Sequence, residues 1–214
     1  MSLNKIIRNR STVRNFTKRI VPNSSLRVIL EAGVWGPSLM GKQILRVKVL
    51  RGELFRNKIL DLLGSKLSKL GICARVLFTP STMKAIKTAN VLLAIYSSGD
   101  FSRLIGKFSK FEGMKTLRTH RELSEQAELC AVSASVQNMI LQAEELGLGS
   151  CWLHLPVYFS KELNRMLDVR RDWKFICILA VGFPWKREKR ARRGKFSNLV
   201  QFNCVFPKVR QNDF

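Results

Sequence analysis

The chain has 214 residues and a formal net charge of +23, with 46% apolar and 25% charged side chains. That length allows one well-buried domain or two small ones, and the apolar share is that of a soluble globular protein. No apolar run reaches the roughly 20 residues of a bilayer-crossing helix. The N-terminus MSLNKIIRNR lacks a signal-peptide core, and five scattered cysteines with two histidines offer no metal-ligand spacing, so a cytoplasmic protein with no membrane partner and no metal is expected.

Residues 2–9 read as a short helix with Leu3, Ile6 and Ile7 apolar. Next comes Arg10-Ser11-Thr12-Val13-Arg14-Asn15-Phe16, in which two arginines four apart bracket two hydroxyls. Guanidinium forks and hydroxyls match phosphate oxygens, so the stretch is a candidate phosphate clamp, with a solvated basic turn as the plainer reading. Pro22 and Asn23-Ser24-Ser25 form a capping loop before a helix over 26–35, which Gly36-Pro37-Ser38 ends. A strand follows over 44–50, with Leu45, Val47 and Val49 alternating with Arg46 and Lys48. Residues 53–88 are helical, broken by Gly64, Gly71 and Pro80, and 89–96 is a continuous apolar run, the mark of a strand covered on both faces. Lys-, Arg- and Phe-rich residues 97–121 read as a surface excursion.

The organising element is a long helix from Ser124 to Leu146, capped by Ser124 and stopped by Gly147. Leu129, Val132, Val136, Met139, Ile140, Ala143 and Leu146 recur at helical spacing on one face. Ala127, Ala131, Ala134 and Ser135 make a second face small rather than charged, so burial on both sides is expected. Strands over 150–155 and 173–182 and a short helix over 160–167 come next. The chain closes with KREKRARRGK at 186–195, seven Lys or Arg in ten residues, and a β-prone tail at 196–206.

Four of these segments, in this order, resemble the FMN-dependent nitroreductase-like oxidoreductases. RSTVRNF is similar to the family's Arg-x-Ser-x-Arg-x-Phe motif, with Thr12 where serine is usual. Gly36 to Gln43 resembles its Pro-Ser-Ser-x-Asn-x-Gln-Pro-Trp loop, with Gly41 replacing asparagine and Ile44-Leu45 replacing Pro-Trp. Gln137 to Trp152 is similar to its central helix and following strand, and Val181-Gly182-Phe183-Pro184 to its Gly-Tyr-Pro strand end.

The resemblance implies an α+β fold, a mixed central sheet flanked by helices, with the long helix at a homodimer interface. One domain would span 1–214, with a variable excursion around 97–121 and a basic extension over 186–214. FMN would lie between subunits. Arg10, Ser11, Thr12 and Arg14, with Arg193, would hold its phosphate and ribityl chain. Pro37, Ser38, Leu39 and Gly41 would come from the partner subunit to the isoalloxazine ring. Backbone near His154 and Leu155 would face flavin N5, and these two side chains, where many members have glycines, would narrow the space over the ring. Lys84 falls near a flavin-contacting lysine of the family.

The function so implied is electron transfer from NAD(P)H through flavin N5 to a small organic acceptor, a nitroaromatic or quinone, by a ping-pong mechanism. No side chain of the protein is then needed as catalytic acid, base or nucleophile. Two other readings stand beside it: a nucleic-acid or polyanion binder using the run at 186–195, and an FMN-binding protein of the same fold without turnover.

Overall fold

A computed structural model describes residues 2–68, 72–108, 120–186, 193–194 and 199–200. In chain order its elements are α1 (Leu3–Asn9), α2 (Asn23–Val34), β1 (Leu45–Arg51), α3 (Glu53–Leu67), α4 (Ile72–Thr88), β2 (Val91–Ser97), α5 (Asp100–Phe108), α6 (His120–Glu145) and β3 (Gly149–Leu153). A 3₁₀ turn (Leu155–Phe159), α7 (Ser160–Met166) and β4 (Lys174–Gly182) complete it. The expected break at Gly71, the tail at 201–206 and most of the run at 186–195 lie outside the described residues.

The four strands form one sheet in the order β1-β2-β4-β3. β2 and β4 are central, and their residues are buried almost without exception. A strand presents alternate side chains to opposite faces. Leu92, Ala94 and Tyr96 therefore enter one cluster, with Ile59 and Leu63 of α3 and Ile86 of α4. Val91, Leu93 and Ile95 enter the other, with Ile29 of α2 and Val132, Val136 and Met139 of α6. Helices on both faces explain why these strands read as continuous apolar runs. The pairings between named strands are antiparallel, and among the described residues the parallel character expected of a mixed sheet is confined to an isolated bridge between Thr12 and Ser150.

Several boundaries differ from the sequence reading. Asn23 opens α2 behind Pro22, rather than forming a loop before it. β3 stops at Leu153, because Leu155 and Pro156 begin the 3₁₀ turn. In β1 the charged side is covered as well: Lys48 Nζ donates to the carbonyls of Leu167 and Asp168, at 2.6 and 2.8 Å.

The excursion expected over 97–121 contains α5, which is tied to the core. Glu128, on α6 and 1% exposed, accepts hydrogen bonds from Ser97 Oγ and from the Ser102 N–H in the first turn of α5, both at 2.8 Å. A carboxylate at a helix N-terminus satisfies donors that lack intrahelical partners. α6 accordingly begins at His120, before Ser124, whose hydroxyl donates to the Arg121 carbonyl inside the helix. Leu129 and Leu146 are 45% and 37% exposed, so α6 is buried on one side and, in the single chain, open on another.

Candidate functional site

The segment 10–17 is extended and held by backbone on both sides. Val13 N–H donates to the Ser150 carbonyl at 2.9 Å, Thr17 N–H to Phe183 at 2.8 Å, and Trp185 N–H to Asn15 at 3.0 Å. It is stitched at one place to the start of β3 and at another to the chain leaving β4. Ser11, Val13 and Phe16 are buried, while Arg10, Thr12 and Arg14 are half-buried. Residues 10, 12 and 14 share a side of an extended segment, so the three candidate phosphate ligands line up opposite the Val13 anchor. Ser11 sits on the anchored side.

Two glycines permit this close approach. A Cβ on Gly149 would lie 2.6 Å from Val13 Cγ2, and one on Gly182 would lie 2.9 Å from the Phe16 ring. A third tie escapes the sequence reading. Phe16 N–H donates to Thr88 Oγ1 at 3.2 Å, and that hydroxyl donates to the Lys84 carbonyl at 2.8 Å. Lys84, exposed on the last turns of α4, is thereby fixed two hydrogen bonds from the clamp. A threonine four residues after Lys84 at a helix end is the only trace of this in the sequence.

From Ser150, paired with Thr12, the strand β3 runs four residues to His154, about 13 Å at the usual rise. His154 is exposed, its ring 6.5 Å from Tyr158 in an edge-on arrangement. Leu155 is 8% exposed and packs in the core cluster with Val13, Cys151 and Leu153. Its side chain does not narrow the space outside the strand end, which corrects that expectation.

Pro37, Ser38 and Gly41 are exposed in the turn after α2, with Leu39 half-buried. Leu39 and Lys42 exchange backbone hydrogen bonds across Met40 (φ 49°) and Gly41 (φ 71°). Two successive positive φ values define a type I′ turn, in which glycine is favoured at the second position. Gly41 therefore has a backbone reason to be present. The loop is seated on α6, since a Cβ on Gly36 would fall 2.0 Å from Ser135 Oγ. Leu39 packs on the cluster with α2 and α6, whereas Val13 and Phe16 belong to the cluster with α3 and α4. Within one chain Leu39 and the Val13 anchor thus pack on opposite faces of the sheet. Arg193 is exposed, beyond Trp185.

The donors that share one side of the segment, two guanidinium groups and the Thr12 hydroxyl, suit a phosphate dianion. An open cleft of about 430 Å³ lies elsewhere, between α1, α2 and α6, lined by Leu3, Trp35, Asn138 and Leu141 among others. None of the candidate cofactor-binding residues lines it.

The sequence model of the Nitroreductase family matches residues 7–183. A Bacillus subtilis (strain 168) protein, provisionally named NAD(P)H nitroreductase YfhC, is 22% identical over 184 residues, 85% of this chain and 84% of its own. A crystal structure of a provisionally named nitroreductase from Desulfovibrio desulfuricans in complex with FMN superposes with a TM-score of 0.68 and 24% identity, covering 97% of this chain and 99% of the other. A Bacteroides fragilis nitroreductase with bound FMN gives a TM-score of 0.71 at 16% identity, over 94% and 98% of the two chains.

Proposed function

The chain belongs to the nitroreductase family, and from that premise we propose that it is an FMN-dependent oxidoreductase. It works as a homodimer, drawing electrons from NAD(P)H and delivering them to a small organic acceptor such as a nitroaromatic or a quinone. The observation that supports this reading is that the segment carrying Arg10, Thr12 and Arg14 is bonded through Val13 to the start of β3 and through Phe16 and Thr88 to the Lys84 carbonyl. The FMN held by the two relatives described above supports it from outside the chain.

In this reading Arg10, Ser11, Thr12 and Arg14, with Arg193, hold the phosphate and ribityl chain. Charge-assisted hydrogen bonds are about twice as strong as neutral ones, so a clamp of this composition dominates cofactor retention. The turn at His154 and Leu155 offers backbone N–H groups at the far end of β3, and Lys84 and Arg14 favour negative charge on the ring edge. The loop Pro37–Gly41, exposed in the single chain apart from half-buried Leu39, serves the partner subunit's cofactor. The open side of α6 and the adjoining cleft at Leu3 and Trp35 form the contact between the two copies. Bound FMN supplies the redox chemistry, a hydride accepted at N5 from the nicotinamide and electrons passed to the second substrate in a separate half-reaction.

Initial rates test this directly. Varying NADPH or NADH against a quinone is expected to give parallel double-reciprocal lines, as one pocket serves both substrates in turn. Intersecting lines would show a ternary complex and refute the shared pocket.

A further inference from the structure

The proposed reaction leaves most of the positive charge unused. The first 30 residues carry seven Lys or Arg and no Asp or Glu. The structure gathers part of that excess with basic residues from two other segments. Phe16 N–H bonds Thr88 at the end of α4, which brings exposed Lys87 beside exposed Lys18 and Arg19. Thr17 N–H and Trp185 N–H pair with Phe183 and Asn15 across the same segment, which brings in exposed Lys186. Arg19 stacks its guanidinium over the Phe183 ring, 3.9 Å from the centroid. None of Lys18, Arg19, Lys87 and Lys186 forms an ion pair among the described residues. Trp185, at their edge, is 72% exposed.

We propose that this face, where the residue 15–19 segment meets the end of α4 and the exit of β4, docks single-stranded nucleic acid, with cations on successive phosphates and the Trp185 indole stacked on a base. The chemistry is that of sequence-tolerant single-strand binding, which combines a cationic track with an aromatic platform. An anionic lipid surface is the other polyanion such a face meets. Ile20, 72% exposed, would suit it, but the cations outnumber the exposed apolar groups, and stable membrane attachment needs a lipid chain or an inserted amphipathic helix besides charge. Lys84 is left out because it serves the flavin site. This face is separate from the proposed redox chemistry and stands or falls without it.

The test is fluorescence anisotropy of the full-length, FMN-supplemented protein with a labelled 20-nucleotide oligo(dT) and oligo(U), from 50 to 300 mM salt. Single-strand contacts give a slope of about −0.7 per phosphate in log K against log salt. Four or more contacts therefore predict a slope of about −3 or steeper. The double variant K18Q/K87Q is expected to flatten the slope by about 1.4 units. W185A is expected to weaken binding roughly tenfold at fixed salt with the slope unchanged. Flavin content and melting temperature of each variant are measured alongside, to show that it is folded. The proposal is overturned if neither oligonucleotide binds at 50 mM salt. It is equally overturned if K107Q/K161Q, on α5 and α7, flattens the slope as much as K18Q/K87Q does, since the charge would then act without a site. Binding to phosphatidylserine vesicles in place of oligonucleotides would assign the face to membranes instead.

Discussion

Val13 shows how much of the candidate site depends on a few ångströms of backbone approach. Its methyls fill the space that a side chain on Gly149 would need, with 2.6 Å to the nearest atom of any added Cβ. Gly149→Ala is therefore expected to destabilise the protein by about 1–3 kcal/mol, the usual cost of overpacking. Because Val13 sits between Thr12 and Arg14, the same variant is expected to lose FMN more readily than wild type. Thermal melts and flavin titration check both effects together. A variant as stable and as tightly flavinated as wild type would show that the clamp is not anchored through Val13. At this scale the sequence was informative for side chains and silent on backbone. The arginines and hydroxyls of 10–14 stood out by type, whereas the tie through Thr88 and the demand for glycine at Gly41 arise from contacts and φ angles that no spacing encodes.

Among the elements, α5 is the clearest case of a tertiary decision. Its apolar residues Phe101, Leu104, Ile105 and Phe108 recur at helical spacing, but its start is held by Glu128, 26 positions away from the Ser102 N–H that it accepts. A local reading of 97–121 had no access to that bond. Central strands β2 and β4 were legible in themselves: with both faces covered, all but their end positions are apolar. The anchor of α5 also carries a pH dependence. The Ser98 hydroxyl at 2.5 Å holds the Asp100 carboxyl below its ordinary range, with Arg103 and Arg46 adding to the effect against the opposing influence of burial. A depressed folded-state value means stability that is present above the unfolded pKa of about 3.9 and is lost as pH falls through the folded value. Ser98→Ala lets that value rise, so its acid-induced loss of stability is expected to be shallower than wild type's below pH 4. Melts from pH 2 to 7 with superimposable profiles would remove Asp100 from the account. For α6, the open stripe holding Leu129 is the expected contact with a second copy. Leu129→Glu alters a residue 45% exposed in the single chain, so the subunit fold should persist while light scattering reports monomers. Dimers as stable as wild type would place the interface elsewhere.

For the whole molecule, the helices about one sheet set the Val13 anchor and Leu39 of the Pro37–Gly41 loop in clusters on opposite faces. The proposed homodimer would join the open stripe of α6, the cleft at Trp35 and the flavin reading in one assembly. Family membership establishes the fold and the class. The flavin contacts rest on the geometry of residues 10–14, 84 and 154–155. One measurement reaches the centre of this account: the flavin released by denaturing the purified protein, identified by mass and counted per chain, in wild type and in Arg14→Gln. The account predicts close to one FMN per chain in wild type and, at equal protein concentration, an affinity weaker by about ten- to a hundredfold in the variant, the worth of one hydrogen bond to a charged group. A colourless wild type that takes up no added FMN, or a variant that holds it as tightly, would contradict the account.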